Sequence, residues 1–349
     1  MLAPVTHILP LTNIRRVRAL PVAGRVLVRQ GQKVNASDVI AQARIPSGHN
    51  VLDIRRGLGI LQASAAERCI VRQVGDRLEK GDVIAESGGL FSRIVRSPAE
   101  GEIVSIHGGQ VLLRVKSAGM EVIAGFEGTV AEILKDQGAV IETNGALIQG
   151  VWGNGRIDSG LLLVVAHAPD DELTSQQIDV SMRGAVVLGG YCASADVLRL
   201  GGELPLRGLV VSSLSSELVP LASSLNYPVV VLEGFGKIRM NDAAYKLLMT
   251  SEKRDVSVSA AFNPAAGERP ELIIPLPAIG QTAPETDYFA PGQTVRIQGA
   301  PFAGKVGSIV QLRQGLYMLP NGLKVLAADI QLDADTRVTV PLANLEVIE

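Results

Sequence analysis

"VRQVGDRLEKGDVIAE", residues 71–86, sets short apolar runs on either side of glycine turns. Three further stretches share the phrase: "AGRVLVRQGQKVNASDVIAQA" (23–43), "EGEIVSIHGGQVLLRV" (100–115) and "EGTVAEILKDQGAVIETNGALIQG" (127–150). In each, a glycine precedes a β run, a second glycine turns the chain, and apolar residues follow at short intervals. The alternation of Val26 and Val28, followed by Val34, with Gly31 or Gly75 at the turn, predicts half-buried strands joined by tight turns. Repeats of this kind indicate a sandwich or barrel. Residues 44–68 interrupt the strands: Val51, Ile54, Leu58 and Leu61 fall near helical spacing, which predicts one or two short helices with Arg55 and Arg56 on the solvated side.

The 349 residues suffice for two or three domains, each with its own core. Apolar residues make up 47% and charged residues 19%, a globular balance. Aromatics are only 3%, beside 37 Gly and 18 Pro, so the apolar content is mostly Val, Ile, Leu and Ala, which favours short strands and many turns. No window reaches the ~18–20 uninterrupted apolar residues of a spanning helix. The opening "MLAPVTHILPLTNIRR" (1–16) carries its charges after a Pro-broken apolar stretch, the reverse of a secretory signal, so a cytoplasmic protein without membrane insertion is expected. Cys69 and Cys192 have no CxxC spacing, and His7, His49, His107 and His167 form no HxH or HExxH pair, so neither a disulfide framework nor a metal site is expected. Net charge is −2 overall, divided into +7 over residues 1–126 and −9 over 127–349. The basic part reads as a solvated face or as a surface that meets an acidic partner.

Residues 71–86, continued by "VRSPAEGEIVSI" (95–106), resemble the barrel-sandwich hybrid of biotinyl and lipoyl domains. The same phrase occurs in periplasmic efflux adaptors and in the N-terminal parts of ion-translocating electron-transport subunits. The resemblance covers about 130 residues and implies a fold that hosts many functions. A carrier domain of this family has a lysine on an exposed hairpin. Counting back from "SPAEG", Leu90 stands near that place, and "SGGLFSRIVRSP" (87–98) contains no lysine, so no biotin, lipoate or other cofactor is expected.

After "WGNGRIDSG" (152–160) the pattern changes to apolar runs separated by helix-length segments. Strands are predicted at 161–166, 184–190, 207–213 and 228–234, and helices at about 194–202, 215–225 and 241–249, the signature of a parallel sheet covered on both faces. Such sheets bind ligands beyond the carboxyl ends of their strands. The loops there place Gly189, Gly190, Ser194, Ser212, Ser213, Glu233 and Lys237 as candidate residues for an anionic ligand, with Glu233 and Lys237 its polar members. Ser194, Ser215 and Asn241 also read as ordinary N-caps. Cys192 has no nearby His and Ser213 no base within sequence reach, so no catalytic residue is assigned. "GNGRIDSG" precedes a strand rather than opening a helix, which excludes a dinucleotide loop. This segment loosely resembles swivelling or phosphohistidine-type α/β modules and regulatory domains of the DRTGG kind, none of whose catalytic residues can be placed here.

Proline concentrates from 262 onward, predicting a linker over 262–284 with one extended stretch, "ELIIPLP". Beyond it, "PGQTVRIQGAPFAGKVGSIVQL" (291–312) resembles the KOW motif of NusG-type transcription factors and KOW ribosomal proteins. Gly292, Val295, Ile297, Gly299, Pro301, Phe302, Gly304, Lys305, Gly307 and Ile309 carry the resemblance, which implies a small SH3-like barrel. Arg296, Phe302 and Lys305 are the candidate partner-binding residues, Phe302 being either a partner contact or a lid on the barrel. Residues 285–349 hold seven acids and five bases, too few positive charges for a phosphate-binding surface, so protein binding or structural use outranks nucleic acid.

The expected architecture is therefore multidomain and β-rich: a barrel-sandwich region over 1–150, a small α/β domain over 151–261, the linker, and a KOW-type barrel over 285–349. The expected function is a non-catalytic scaffold or adaptor with protein partners, joined to transcription or translation machinery through the barrel. An enzyme subunit or regulatory protein binding an anionic metabolite, and a self-assembling structural protein forming homo-oligomers, are the alternatives.

Overall fold

Four turns of the N-terminal region are closed by the same local bond. In "RQGQ" (29–32), "NASD" (35–38), "QVGD" (73–76) and "EKGD" (79–82), the first residue's N–H donates to the fourth residue's side chain, at 3.0, 2.7, 2.9 and 3.0 Å. A side chain that bonds its own backbone gives the turn a partner that no ladder supplies. Gly75 and Gly81 sit at φ 95°, a conformation that a Cβ disfavours.

These turns build two nested units. The structure, a computed structural model, describes residues 2–44, 48–88, 92–115, 119–282 and 286–348. The outer unit uses Arg25–Val26, Lys33–Val34 and Val39–Arg44, and then Gly119–Ile123, Gly128–Leu134 and Gly138–Gln149. The inner unit, from His49–Asp53 to Gln110–Val115, lies between them in the chain. The outer pair Val39–Arg44 with Gly119–Ile123 has its counterpart in the inner pair Val83–Glu86 with Ile94–Arg96, both antiparallel. A long-range bond also repeats: Gly31 N–H donates to Val130 O and Gly75 N–H to Ile103 O, each at 2.8 Å. One repeat is thus carried on the hairpin of the other. Their cores are separate, with Val34, Ile40, Phe126, Val130 and Ile141 in the outer unit and Leu78, Ile84, Ile103, Val111 and Leu113 in the inner. The helices predicted within 44–68 are Ile54–Leu58 and Ala63–Glu67, and they bury Ile54, Leu58 and Ala66 in the inner core.

The four predicted central strands are Ile157–Val164, Ala185–Cys192, Gly208–Leu214 and Val229–Phe235, all mutually parallel. Successive residues alternate between two cores. Val186, Leu188 and Val210 lie in the core with the helix Asp242–Thr250, while Val187, Leu209 and Val211 lie in the core with Ala195–Glu203 and Val219–Ser224. Burial on both faces is why Ala185–Cys192, Gly208–Leu214 and the first residues of Val229–Phe235 read as apolar runs.

The sheet does not stop where the α/β segment was expected to begin. Past Ile157–Val164 it continues antiparallel through Asp255–Ser259, Glu271–Pro275, Gly138–Gln149 and Gly128–Leu134, forming 12 strands among the described residues. A boundary at 150/151 therefore falls inside one sheet. The stretch 262–284 is likewise more than a linker, because Glu271–Pro275 is an interior strand with Leu272, Ile273 and Ile274 buried. Backbone pairing on both edges overrides the turn-forming tendency of the flanking prolines.

A second sheet closes the C-terminal part, in the order Thr286–Tyr288, Leu2–Thr6, Leu345–Ile348, Thr294–Ile297, Val306–Leu312, Ala327–Gln331, Arg337–Pro341. The N-terminal strand Leu2–Thr6 runs parallel to Leu345–Ile348 and places Ala3 and Val5 in the same core as Val295, Ile309 and Val347. The first residues of the chain thus belong to its last sheet, and not to the N-terminal region assigned over 1–150. Among the described residues, no helix is long and apolar enough to cross a membrane.

Candidate functional site

The carboxyl ends of the parallel strands, where a ligand crevice was expected, are closed by the chain's own loops. The short strand Glu172–Leu173 pairs with Tyr191 and Cys192 and lies against Gly189 and Gly190. A Cβ at Gly190 would stand 1.9 Å from the carbonyl oxygen of Asp171, so glycine is required there by close approach, not by a bound anion. Ser213 accepts a hydrogen bond from Ile238 N–H at 3.1 Å and donates to Ile238 O at 3.0 Å, with Ser212 buried beside it. Met240 N–H donates to Pro169 O at 2.8 Å and seals the next gap. Ser194 is a helix N-cap whose hydroxyl accepts from Asp196 N–H at 3.2 Å. Lys237 is exposed and stands 3.6 Å from Glu172. The seven candidate residues do share one edge of the sheet, yet Gly189, Gly190, Ser213 and Glu233 meet the chain's own segments, Ser194 caps its own helix, Ser212 is buried beside Ser213, and Lys237 is exposed.

Glu233 has a partner that its sequence position did not reveal. It accepts from Asn241 N–H at 2.8 Å, and its other oxygen meets Arg296 of the C-terminal sheet at 2.8 Å, with the two side chains 2% and 3% exposed. Arg296 was expected to face a partner protein. It is instead an internal tie: it also approaches Glu346 at 3.7 Å and donates to Leu232 O at 3.4 Å, while its Nε–H has no acceptor among the described residues. Glu346 in turn is ion-paired with Arg269 and accepts from Thr6, and Gln298 donates to it at 3.2 Å. Arg269 reaches Thr6 at 2.6 Å. Two carboxylates, two guanidiniums and a hydroxyl therefore join the N-terminal strand, the large sheet and the C-terminal sheet.

The charges respond to burial in opposite ways. Burial pushes the carboxyl of Glu233 up, against the pull of Arg296 and of Asn241 N–H. Burial also opposes the charge of Glu346, but Arg269 and Arg296 together outweigh it and hold that carboxyl below its usual range. The arrangement has the chemistry of a structural lock. Arg269, Glu346 and Thr6 were not singled out from sequence. Thr6 and Glu346 did carry a signal, a hydroxyl or a charge inside an otherwise apolar strand, as in "LEVI" (345–348); Arg269, outside any strand, carried none.

The remaining partner-binding candidates divide. Phe302 packs against the core of the C-terminal sheet, as a lid does, with Lys305 Nζ 5.8 Å from its ring centroid. Lys305 is exposed. Leu90 lies outside the described residues. A concavity of about 770 Å³ lies elsewhere, at the fork where Gly128–Leu134 and Glu271–Pro275 diverge from Gly138–Gln149, and is lined in part by Lys33, Glu127, Thr143 and Leu276. Among the described residues, no group of three or more His, Cys, Asp or Glu could hold a metal ion.

No protein-family model matches the chain, and no curated protein matches its sequence.

Proposed function

We propose that this chain is a scaffold or adaptor: two nested barrel-sandwich units and an SH3-like KOW barrel mounted on a central α/β platform. The observation that carries the reading is the self-closure of the crevice beyond the parallel strands, where the chain's own loops take up the polar groups a ligand would use. The two matching hairpins and repeated turn bonds of the N-terminal region support the barrel-sandwich assignment. The SH3-like assignment draws support from the run of antiparallel neighbours Leu345–Ile348, Thr294–Ile297, Val306–Leu312, Ala327–Gln331 and Arg337–Pro341. The KOW resemblance directs the adaptor toward transcription or translation machinery, with Lys305 on the partner-facing side and Phe302 as the lid beneath it.

The test is affinity purification of the full-length chain from its native cell after nuclease treatment, comparing wild type with Lys305→Glu. Polymerase or ribosomal proteins that co-purify with wild type and are depleted from the variant support the reading. Equal recovery from both, or none from either, removes the KOW barrel as the recruiting surface. Deleting the barrel is not a clean alternative, because Leu2–Thr6 and Glu233 would lose their partners.

A further inference from the structure

The two N-terminal repeats share their turns and hairpins and differ in what holds them. The outer repeat is built into the platform: its strand Gly138–Gln149 pairs with Glu271–Pro275 of the large sheet, and Arg16 is ion-paired with Glu271 at 2.6 Å. The C-terminal sheet is likewise tied down, through Arg296 and Glu233. The inner repeat, residues 48–115, has no such tie. Its four-stranded sheet and its hairpin of Val83–Glu86 with Ile94–Arg96 pair only within the repeat. Among the described residues, no backbone or side-chain hydrogen bond, ion pair or core cluster joins it to any other part of the chain.

Within itself the inner repeat is well fastened. Ile54, Leu78, Ile84, Ile103, Val111 and Leu113 are at most 1% exposed and form one core. Glu67 accepts from Gly109 N–H at 3.0 Å, which holds the helix Ala63–Glu67 to the turn between Gly101–His107 and Gln110–Val115. Arg72 Nε donates to Val83 O at 2.9 Å and joins the loop after the helices to the hairpin. The two ends of the repeat also meet, with Val115 N–H donating to Gly48 O at 2.9 Å. Neighbouring ends are what lets one folded unit be carried on a hairpin of another. Its length, somewhat above about 60 residues, is sufficient for a single core.

Two folded bodies in one chain hold a fixed relation when a large apolar interface joins them, and relative motion is the expected state without one. We propose that the inner repeat is a self-standing module that reorients as one body at the end of the outer hairpin, Val39–Arg44 with Gly119–Ile123, while the outer repeat stays fixed in the large sheet. The pair Arg44 with Gly119 is the last of that hairpin and marks where the fixed part ends. Such an arm presents one repeat over a range of directions from a platform that does not move. The motion follows from the packing and does not depend on the adaptor reading.

Two measurements on the full chain test it. Amide nitrogen relaxation of the deuterated protein is expected to give residues 48–115 a rotational correlation time about twofold shorter than that of the large sheet. A single correlation time for both overturns the motion. Ile103→Asp with Leu113→Asp puts two charges into the inner core, and is expected to abolish protection from hydrogen exchange across 48–115. The urea midpoint read by the fluorescence of Trp152, on the large sheet, is expected to stay within about 0.2 M of wild type. A midpoint that falls with the substitutions, or protection lost from both repeats alike, overturns the independence of the module. Protection retained within 48–115 overturns the separate core on which the proposal stands.

Discussion

Replacing Arg296 by Met removes the guanidinium that ties the two sheets while keeping most of the volume of its stem. Glu233 would then be 2% exposed with one backbone N–H as its remaining partner, and Glu346, fully buried, would keep Arg269 and Thr6. Breaking a buried ion pair from one side costs about 3–5 kcal/mol, because the other charge stays desolvated. Trp152 is the only tryptophan and pairs with Val231, two residues from Glu233 on the same strand, so urea unfolding followed by its fluorescence reads the affected region directly. The defect has a defined pH sign. Burial already raises the carboxyl of Glu233 and loss of Arg296 raises it further, so the folded variant holds a proton that the unfolded chain releases. Stability of the variant therefore falls as pH rises through that carboxyl's titration, and its deficit against wild type is smaller at acid pH than at neutral pH. Adding Glu233→Gln to Arg296→Met keeps the acceptor for Asn241 N–H, removes the unpaired charge, and is expected to recover roughly 2 kcal/mol. A deficit below about 1 kcal/mol, independent of pH and unimproved by Glu233→Gln, would refute the lock.

Three further outcomes are expected. Asp329 is buried, which would raise its pKa, but hydrogen bonds from Thr339, Arg313, Gln311 and Arg337 hold it at about 2. Its stabilisation is thus present above the unfolded carboxylate value of roughly 4 and is lost as pH falls toward the folded one, and Asp329→Asn should cost about 1–2 kcal/mol at neutral pH while flattening the acid limb of a urea-midpoint profile. Ser213→Ala orphans the N–H of Ile238, at a cost of about 1–3 kcal/mol, and hydrogen exchange at that amide should accelerate. Inorganic phosphate should leave the thermal midpoint unchanged; a rise of more than roughly 2 °C that Lys237→Ala abolishes would restore an anion site at the strand ends.

Much of the fold was open to a reader of the sequence because its signals are local. The two helices within 44–68, the four parallel strands and the helices after the last three of them follow from periodicities of 2 and 3.6, and those periods depend on side-chain direction alone. The glycine phrase also showed that the N-terminal region repeats. It could not show that one repeat sits inside the hairpin of the other, since nesting is a property of pairing between Val39–Arg44 and Gly119–Ile123, about 75 residues apart.

The candidate site was legible as a place and not as a state. Glycines and serines at the ends of parallel strands look the same whether they receive an anion or the chain's own carbonyls. Only the approach of Asp171 to Gly190, and of Ile238 to Ser213, decides between them. Charge sharpens the contrast. Residue counts made Arg296 a cation on a small barrel, and surface was the reasonable expectation. In the folded chain it is 3% exposed, because Glu233, 63 positions earlier, and Glu346, 50 positions later, supply the countercharges that burial demands. By itself the sequence determined which segments alternate, turn or coil. The tertiary structure decided which polar groups meet, because that choice rests on contacts between residues whose sequence separation carries no local signal.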